Sequence, residues 1–168
     1  MIEGMVIAFE RYLDRSRSVR QKPVVWPWRK INEALDKCSG GERGSLALTC
    51  GEDGRQPLIA PGLSASVQIV APGQQTSPHA HSFWHIYLVK SGSGTLSTDD
   101  SSEPRALQTG DIAFVPAWCD HALGNVDGGQ ALVLLAIQNL PAMADLGCLA
   151  RRNAAGETVI VYADAPGL

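Results

Sequence analysis

Residues 73–92 read GQQTSPHAHSFWHIYLVKSG and contain three of the chain's four histidines, His79, His81 and His85. All three positions are odd-numbered, as are those of Phe83 and Tyr87. Side chains of an extended strand alternate between its two faces, so this parity predicts that the three imidazoles share one face. At a rise of ~3.3 Å per residue, the Cα atoms of His79 and His81 would lie about 6–7 Å apart, close enough for both rings to reach one metal ion.

A second stretch, residues 110–125, reads GDIAFVPAWCDHALGN and holds the fourth histidine, His121. Gly110 and Asp111 open a predicted strand, and Pro116 ends it because proline donates no ladder hydrogen bond. We expect Asp111 to be a structural turn carboxylate, since Asp beside Gly is typical of turns. Asn125 follows His121 by four residues.

Together the two stretches resemble the two signature motifs of the cupins, which run Gly-x5-His-x-His-x(3–4)-Glu-x6-Gly and Gly-x5-Pro-x4-His-x3-Asn. Every spacing fits, and two residues depart: His85 stands in place of the glutamate and Trp118 in place of a glycine. The resemblance implies an all-β fold, an antiparallel β-barrel of the double-stranded β-helix or jelly-roll type. It also implies one divalent metal ion held by His79, His81 and His121.

Within the cupins, the chain is most similar to gentisate 1,2-dioxygenases and the related salicylate and hydroxynaphthoate dioxygenases. The likeness lies in the Pro-x-Trp of the second motif, in Trp26-Pro27-Trp28, and in VLLAIQNLPAMADLG at 133–147. Those enzymes hold Fe(II) with three histidines and are usually built from two cupin units, whereas this chain carries one. Asp120 replaces a motif tryptophan and Ala80 an arginine. The resemblance implies an oxidoreductase, a non-haem Fe(II) dioxygenase acting on a gentisate- or salicylate-like aromatic hydroxy acid.

Other functions stay open at the level of sequence. Three neutral imidazoles leave coordination positions for water, O2 or a bidentate substrate, and they bind Zn(II) as readily as Fe(II). A zinc-dependent isomerase, lyase or cyclase is therefore one alternative, and a cupin that binds a small ligand without turnover is another. His85 is the candidate catalytic residue. It could act as an acid or base near a substrate oxygen, be a fourth ligand, or simply line the pocket.

The rest of the chain suggests one barrel with short additions at both ends. We predict an N-terminal arm over 1–44 with helices at 6–13 and 31–37, a barrel over 45–140, and a C-terminal extension over 141–168. Gly and Pro total 27 of 168 residues, which favours many short strands. The predicted strands are 45–50, 64–70, 83–90, 94–98, 111–115, 132–138 and 158–162.

The composition and net charge limit the classes of partner that the protein can bind. The net charge of −3 argues against binding to nucleic acid or to a membrane surface, because both need a basic field. No secretory signal is evident, and the four cysteines form no CxxC pair, so we expect free thiols in the cytoplasm. Charged residues are only 18% of the chain, which suggests a buried subunit interface. We therefore predict a homodimer in which the arm or the strand at 158–162 packs on a partner barrel.

Overall fold

The computed structural model describes residues 5–16, 22–35, 37, 44–50, 58–125 and 129–160. Strand residues outnumber helical residues among these by more than two to one, which confirms the all-β prediction. The helices are α1 (Phe9–Ser16), α2 (Trp28–Leu35) and α3 (Leu140–Asp145). The strands are β1 (Gly44–Leu48), β2 (Ser64–Val70), β3 (Ala80–His81), β4 (His85–Ser91), β5 (Ser93–Thr98), β6 (Arg105–Gln108), β7 (Ile112–Val115), β8 (His121–Gly124), β9 (Leu132–Gln138), β10 (Ala150–Arg152) and β11 (Thr158–Ile160).

The strands form three sheets. A five-stranded sheet has the order β1-β2-β9-β4-β7, and two three-stranded sheets have the orders β6-β5-β8 and β11-β10-β3. All strand pairs among the described residues are antiparallel. The predicted antiparallel architecture is therefore confirmed.

The main core lies between the five-stranded sheet and the sheet β6-β5-β8. It combines alternate residues of both sheets: Val70, Tyr87, Val89, Leu96, Leu107, Val115, Leu123, Leu132, Leu134 and Ala136. On β2, Val70 joins this core, whereas Val67 and Ile69 pack in a second cluster on the other face. Gln68 has the parity of Val70 and pairs in register with Leu134, so it lies on the barrel's interior side.

The second cluster covers part of the outer face of the five-stranded sheet. Trp26, Trp28 and Ile31 pack there on Val67 and Val133, so the N-terminal segment of the chain seals its own barrel. The indole nitrogen of Trp26 also donates to the carbonyl of Thr49, at 3.0 Å. The two rings therefore pin this part of the arm onto the chain's own core.

Several elements differ from the sequence prediction. α2 begins at Trp28 rather than at residue 31, because Pro27 suits the start of a helix and its carbonyl accepts from the N–H groups of Lys30 and Ile31. α1 likewise covers Phe9–Ser16 rather than 6–13. Strands β3, β6, β8 and β10 and helix α3 were not predicted, since each is too short to show a clear periodicity. The last predicted strand appears as β11, and residues 161–162 lie outside the described part.

Candidate metal centre

His79 and His121 are brought together by an isolated antiparallel bridge between their backbones. The N–H of His79 donates to the carbonyl of His121 at 3.1 Å, and the reverse bond is 3.0 Å. Their ring centroids lie 4.5 Å apart, and the ring of His81, at the end of β3, lies 5.0 Å from that of His121. All three histidines are almost fully buried. Within the described part of the chain, they are the one group of metal-binding side chains whose donor atoms all lie within 4.8 Å of one another.

A backbone carbonyl fixes the tautomer of each of these rings. The Nδ1 atoms of His79, His81 and His121 lie 2.8, 2.6 and 3.0 Å from the carbonyl oxygens of Ser77, Phe83 and Cys119. A carbonyl can only accept, so each Nδ1 carries a proton and, in the neutral ring, each Nε2 keeps its lone pair. Such a contact is typical of metal-binding histidines, because it orients the ring and makes the coordinating nitrogen more basic. The cluster therefore fits a single divalent transition-metal ion.

His85 joins the cluster as a fourth imidazole. Its Nε2 lies 2.7 Å from Nε2 of His81, and it is itself buried. Its ring stacks on Tyr87 at 4.8 Å and meets Phe83 edge-on at 5.2 Å. Parity thus gave the correct face for His85 and Tyr87.

The stretch from His79 to His85 is not one extended strand, because residues 82–84 form a bend between β3 and β4. Two long-range contacts hold this bend. Ser82 exchanges hydrogen bonds with the backbone of Ala150, both at 3.0 Å, and the side-chain oxygen of Asn139 accepts from the N–H of Trp84 at 2.9 Å. The bend brings His85 back toward His81, with ring centroids 4.4 Å apart.

Strand β10 supports the strands that carry two of the three histidines. Arg151 pairs in register with His81, and the guanidinium of Arg152 forms a 2.6 Å ion pair with Asp120, the neighbour of His121. Asp120 is thereby engaged in a contact outside the cluster. Sequence reasoning missed Arg152, Ser82 and Asn139, and no local pattern marks them, since their partners lie 32 to 68 residues away.

The backbone conformation of Trp118 shows why the cupin motif has a glycine at this position. Its φ of 64° places it in the left-handed region, which glycine adopts without strain and other L-residues adopt at a cost of about 1–2 kcal/mol. Its N–H donates to the carbonyl of His81 at 2.8 Å, so this conformation links the loop after β7 to a cluster residue.

Cys119 is a poor candidate ligand in spite of its position next to this cluster. Its thiol lies 3.3 Å from a carboxylate oxygen of Asp99. Burial, and next the hydrogen bond to Asp99, raise the pKa of Cys119 to about 11. The thiol therefore stays protonated near neutral pH, and Cys119 is not among the side chains whose donor atoms gather in the cluster.

An antiparallel β-barrel with histidines from neighbouring strands clustered inside is a cupin architecture. Residues 66–137 match the family model of the cupin domain. The chain is 29% identical over 139 residues to a 1-hydroxy-2-naphthoate 1,2-dioxygenase from Nocardioides sp. (strain KP7), covering 81% of this chain and 35% of that protein. It is 24% identical over 153 residues to a 5-nitrosalicylic acid 1,2-dioxygenase from Bradyrhizobium sp., covering 86% of this chain and 72% of the relative.

A solved structure shows the same fold. The salicylate 1,2-dioxygenase from Pseudaminobacter salicylatoxidans superimposes with a TM-score of 0.72 at 19% identity, covering 89% of this chain and 48% of that one. Residues 66–137 thus match a cupin domain, and the chain resembles the gentisate 1,2-dioxygenase-type cupins, as its motifs suggested. It spans only about a third of the naphthoate dioxygenase. None of the helices in the described part has the length and apolarity that a membrane crossing requires.

Proposed function

We propose that this protein is a non-haem Fe(II) dioxygenase acting on a small aromatic acid that carries a hydroxyl next to its carboxylate. The observation that carries the proposal is the buried cluster of His79, His81 and His121, which no carboxylate from the described part of the chain joins as a donor. The relatives named above support the substrate class, because 1-hydroxy-2-naphthoate and 5-nitrosalicylate both place a hydroxyl beside a carboxylate.

The ligands we propose are His79, His81 and His121. Fe(II) held by three neutral imidazoles would leave positions for the carboxylate, the hydroxyl and O2, and it would pass electron density between the two reactants. The protein's own residues orient the three imidazole rings and exclude water from the site. The carbonyls of Ser77, Phe83 and Cys119 hold the three rings, and the apolar core beneath keeps the site dry.

The test is O2 uptake by protein reconstituted anaerobically with Fe(II). We expect consumption of O2 with gentisate, salicylate, 5-nitrosalicylate or 1-hydroxy-2-naphthoate, and a product heavier by the two atoms of O2. Zinc in the protein as isolated, with no O2 uptake after iron loading, would instead identify a redox-silent isomerase, lyase or cyclase. Tight binding of these acids without turnover would identify a binding protein.

Metal content per chain tests the ligand set independently of turnover. Replacing His79, His81 or His121 by Ala is expected to lower occupancy and abolish turnover, because each removes one of three donors. Cys148→Ser is the matched control, since it removes an exposed thiol that lies outside the cluster. Full occupancy in the His81 or His121 variant would end the three-histidine model.

We further propose a homodimer in the cytoplasm. The outer face of β4 and β7 exposes two apolar cross-strand pairs, Ile86 with Phe114 and Leu88 with Ile112. The chain's own α2 packs on the neighbouring part of this sheet face. A second copy of the chain would bury the exposed pairs on β4 and β7 in the same way. We expect a dimer mass by light scattering and its loss in Phe114→Lys. A monomer at micromolar concentration would contradict the proposal.

A further inference from the structure

We propose that His85 is a hydrogen-bond donor to an oxygen of the bound substrate and is not a fourth metal ligand. This inference rests on the proposed function, because it assigns to His85 a role toward a carboxylate or hydroxyl oxygen held beside the three-histidine cluster. It also distinguishes between the roles that the sequence leaves open for this residue.

The hydrogen-bond network places a proton on Nε2 of His85. Nδ1 of His81 donates to the carbonyl of Phe83, so Nε2 of neutral His81 has only a lone pair to offer. Nε2 of His85 lies 2.7 Å from that lone pair and must therefore be the donor in this contact. A metal ion on His81 would take over that lone pair and leave the N–H of His85 to a different acceptor beside the cluster. A negatively charged substrate oxygen in that space is a strong acceptor.

The contact between the two rings has the length of a hydrogen bond. Nε2 of His85 lies 2.7 Å from Nε2 of His81. His85 also lies outside the group of residues whose donors are all within 4.8 Å of one another.

The ring of His85 is held in place before any substrate binds. As the first residue of β4, His85 pairs with Val115 of β7 on one side and with Gln138 of β9 on the other. Tyr87 stacks on its ring, and Phe83 lies against it edge-on. A donor fixed in this way loses little conformational entropy when it forms a hydrogen bond, which is what a substrate-positioning group needs.

Coordination number gives the assignment a chemical consequence. Three protein ligands leave three positions in a six-coordinate site, enough for a chelating hydroxy acid together with O2. A fourth imidazole would leave only two positions. They could hold either the chelating acid alone, or O2 together with one oxygen of the acid. The proposed dioxygenase chemistry therefore favours His85 as a donor.

The first experiment counts imidazoles on Cu(II) used as a probe, by electron spin echo spectroscopy of the wild type, His85→Phe and His85→Gln. Phe fits between two aromatic neighbours without donating, and Gln keeps an N–H donor. We expect three coordinated imidazoles in all three proteins and Co(II) affinities within about threefold of one another. Four imidazoles in the wild type would overturn the proposal, and this count stands even if a variant fails to fold. His81→Ala is the control for loss of a true ligand.

The second experiment measures binding of salicylate and gentisate to the Co(II) protein through its visible spectrum. We expect His85→Phe to bind about 10- to 100-fold more weakly, the usual effect of removing a hydrogen bond to a charged group, and His85→Gln to recover part of the loss. Equal affinity in wild type and His85→Phe would refute the role of His85. Absence of binding and of O2 uptake in the wild type would contradict the proposed function, whereas the imidazole count would still show whether His85 is a ligand.

Discussion

Asn125, the last residue of the second motif, is expected to be a major contributor to stability. It is completely buried, and its side-chain amide donates to the carbonyls of Val70 and Gln130, both at 2.9 Å. These two bonds join the end of β2 to the segment that leads into β9. Asn125→Ala removes the side-chain donor to each of these two carbonyls.

The expected loss follows from the burial of the two acceptors. An orphaned buried carbonyl costs about 1–3 kcal/mol, and the more accessible carbonyl of Gln130 loses about 1 kcal/mol net because water can replace the donor. The sum of about 2–4 kcal/mol corresponds to a fall in Tm of roughly 5–15 °C for a chain of this length.

Urea denaturation and calorimetry of the purified protein would measure this change. Gln130→Ala is the matched control, because it keeps the backbone carbonyl and removes only an exposed side chain, so we expect a change below about 0.5 kcal/mol. Asn125→Asp should be worse than Asn125→Ala, since it directs a carboxylate at two carbonyl oxygens. A loss below about 1 kcal/mol in Asn125→Ala would refute the reasoning.

Two further predictions concern a thiol and a turn. Because Asp99 helps to raise the pKa of Cys119 to about 11, the thiol should be alkylated slowly until the pH approaches that value. Asp99→Asn should lower this pKa and speed alkylation at pH 8.5 several-fold; an unchanged rate at this cysteine, followed by mass spectrometry, would show that burial alone protects it. Gly92→Ala should cost about 2–4 kcal/mol, because φ is +80° and a Cβ would overlap the carbonyl of Ala131. Gly110→Ala, with positive φ and open space, should cost only about 1–2 kcal/mol, and equal losses by urea denaturation would show that the overlap is relieved.

The fold class could be read from the sequence because short strands between turn residues are a short-range regularity. Alternation along a strand predicted that His85 and Tyr87 share a face, whereas the approach of His121 to His79 and His81 was implied by the resemblance to the cupin motifs. The strands at 64–70 and 132–138 were also predicted with the bounds that the structure shows.

What the sequence could not provide are contacts between distant segments. The bend after His81 depends on contacts with Ala150 and Asn139. Alternation of side chains along a strand gives no information about such distant partners. Helix α3 was missed although Pro141 stands in its first turn, because six residues are too few for a periodicity. The contact between His81 and His85 likewise follows from the bend and not from parity.

The pairing of β10 with β3 has a practical meaning for anyone who shortens this protein. A fragment cut to the residues that match the family model, 66–137, would retain all four histidines and still lack Ala150, Arg151 and Arg152. Removal of those residues frees Ser82 and Asp120 from their contacts, so the rings beside them would lose their alignment while the sequence motifs stayed intact. The smallest functional piece of this chain is therefore longer than the piece that its motifs make recognisable.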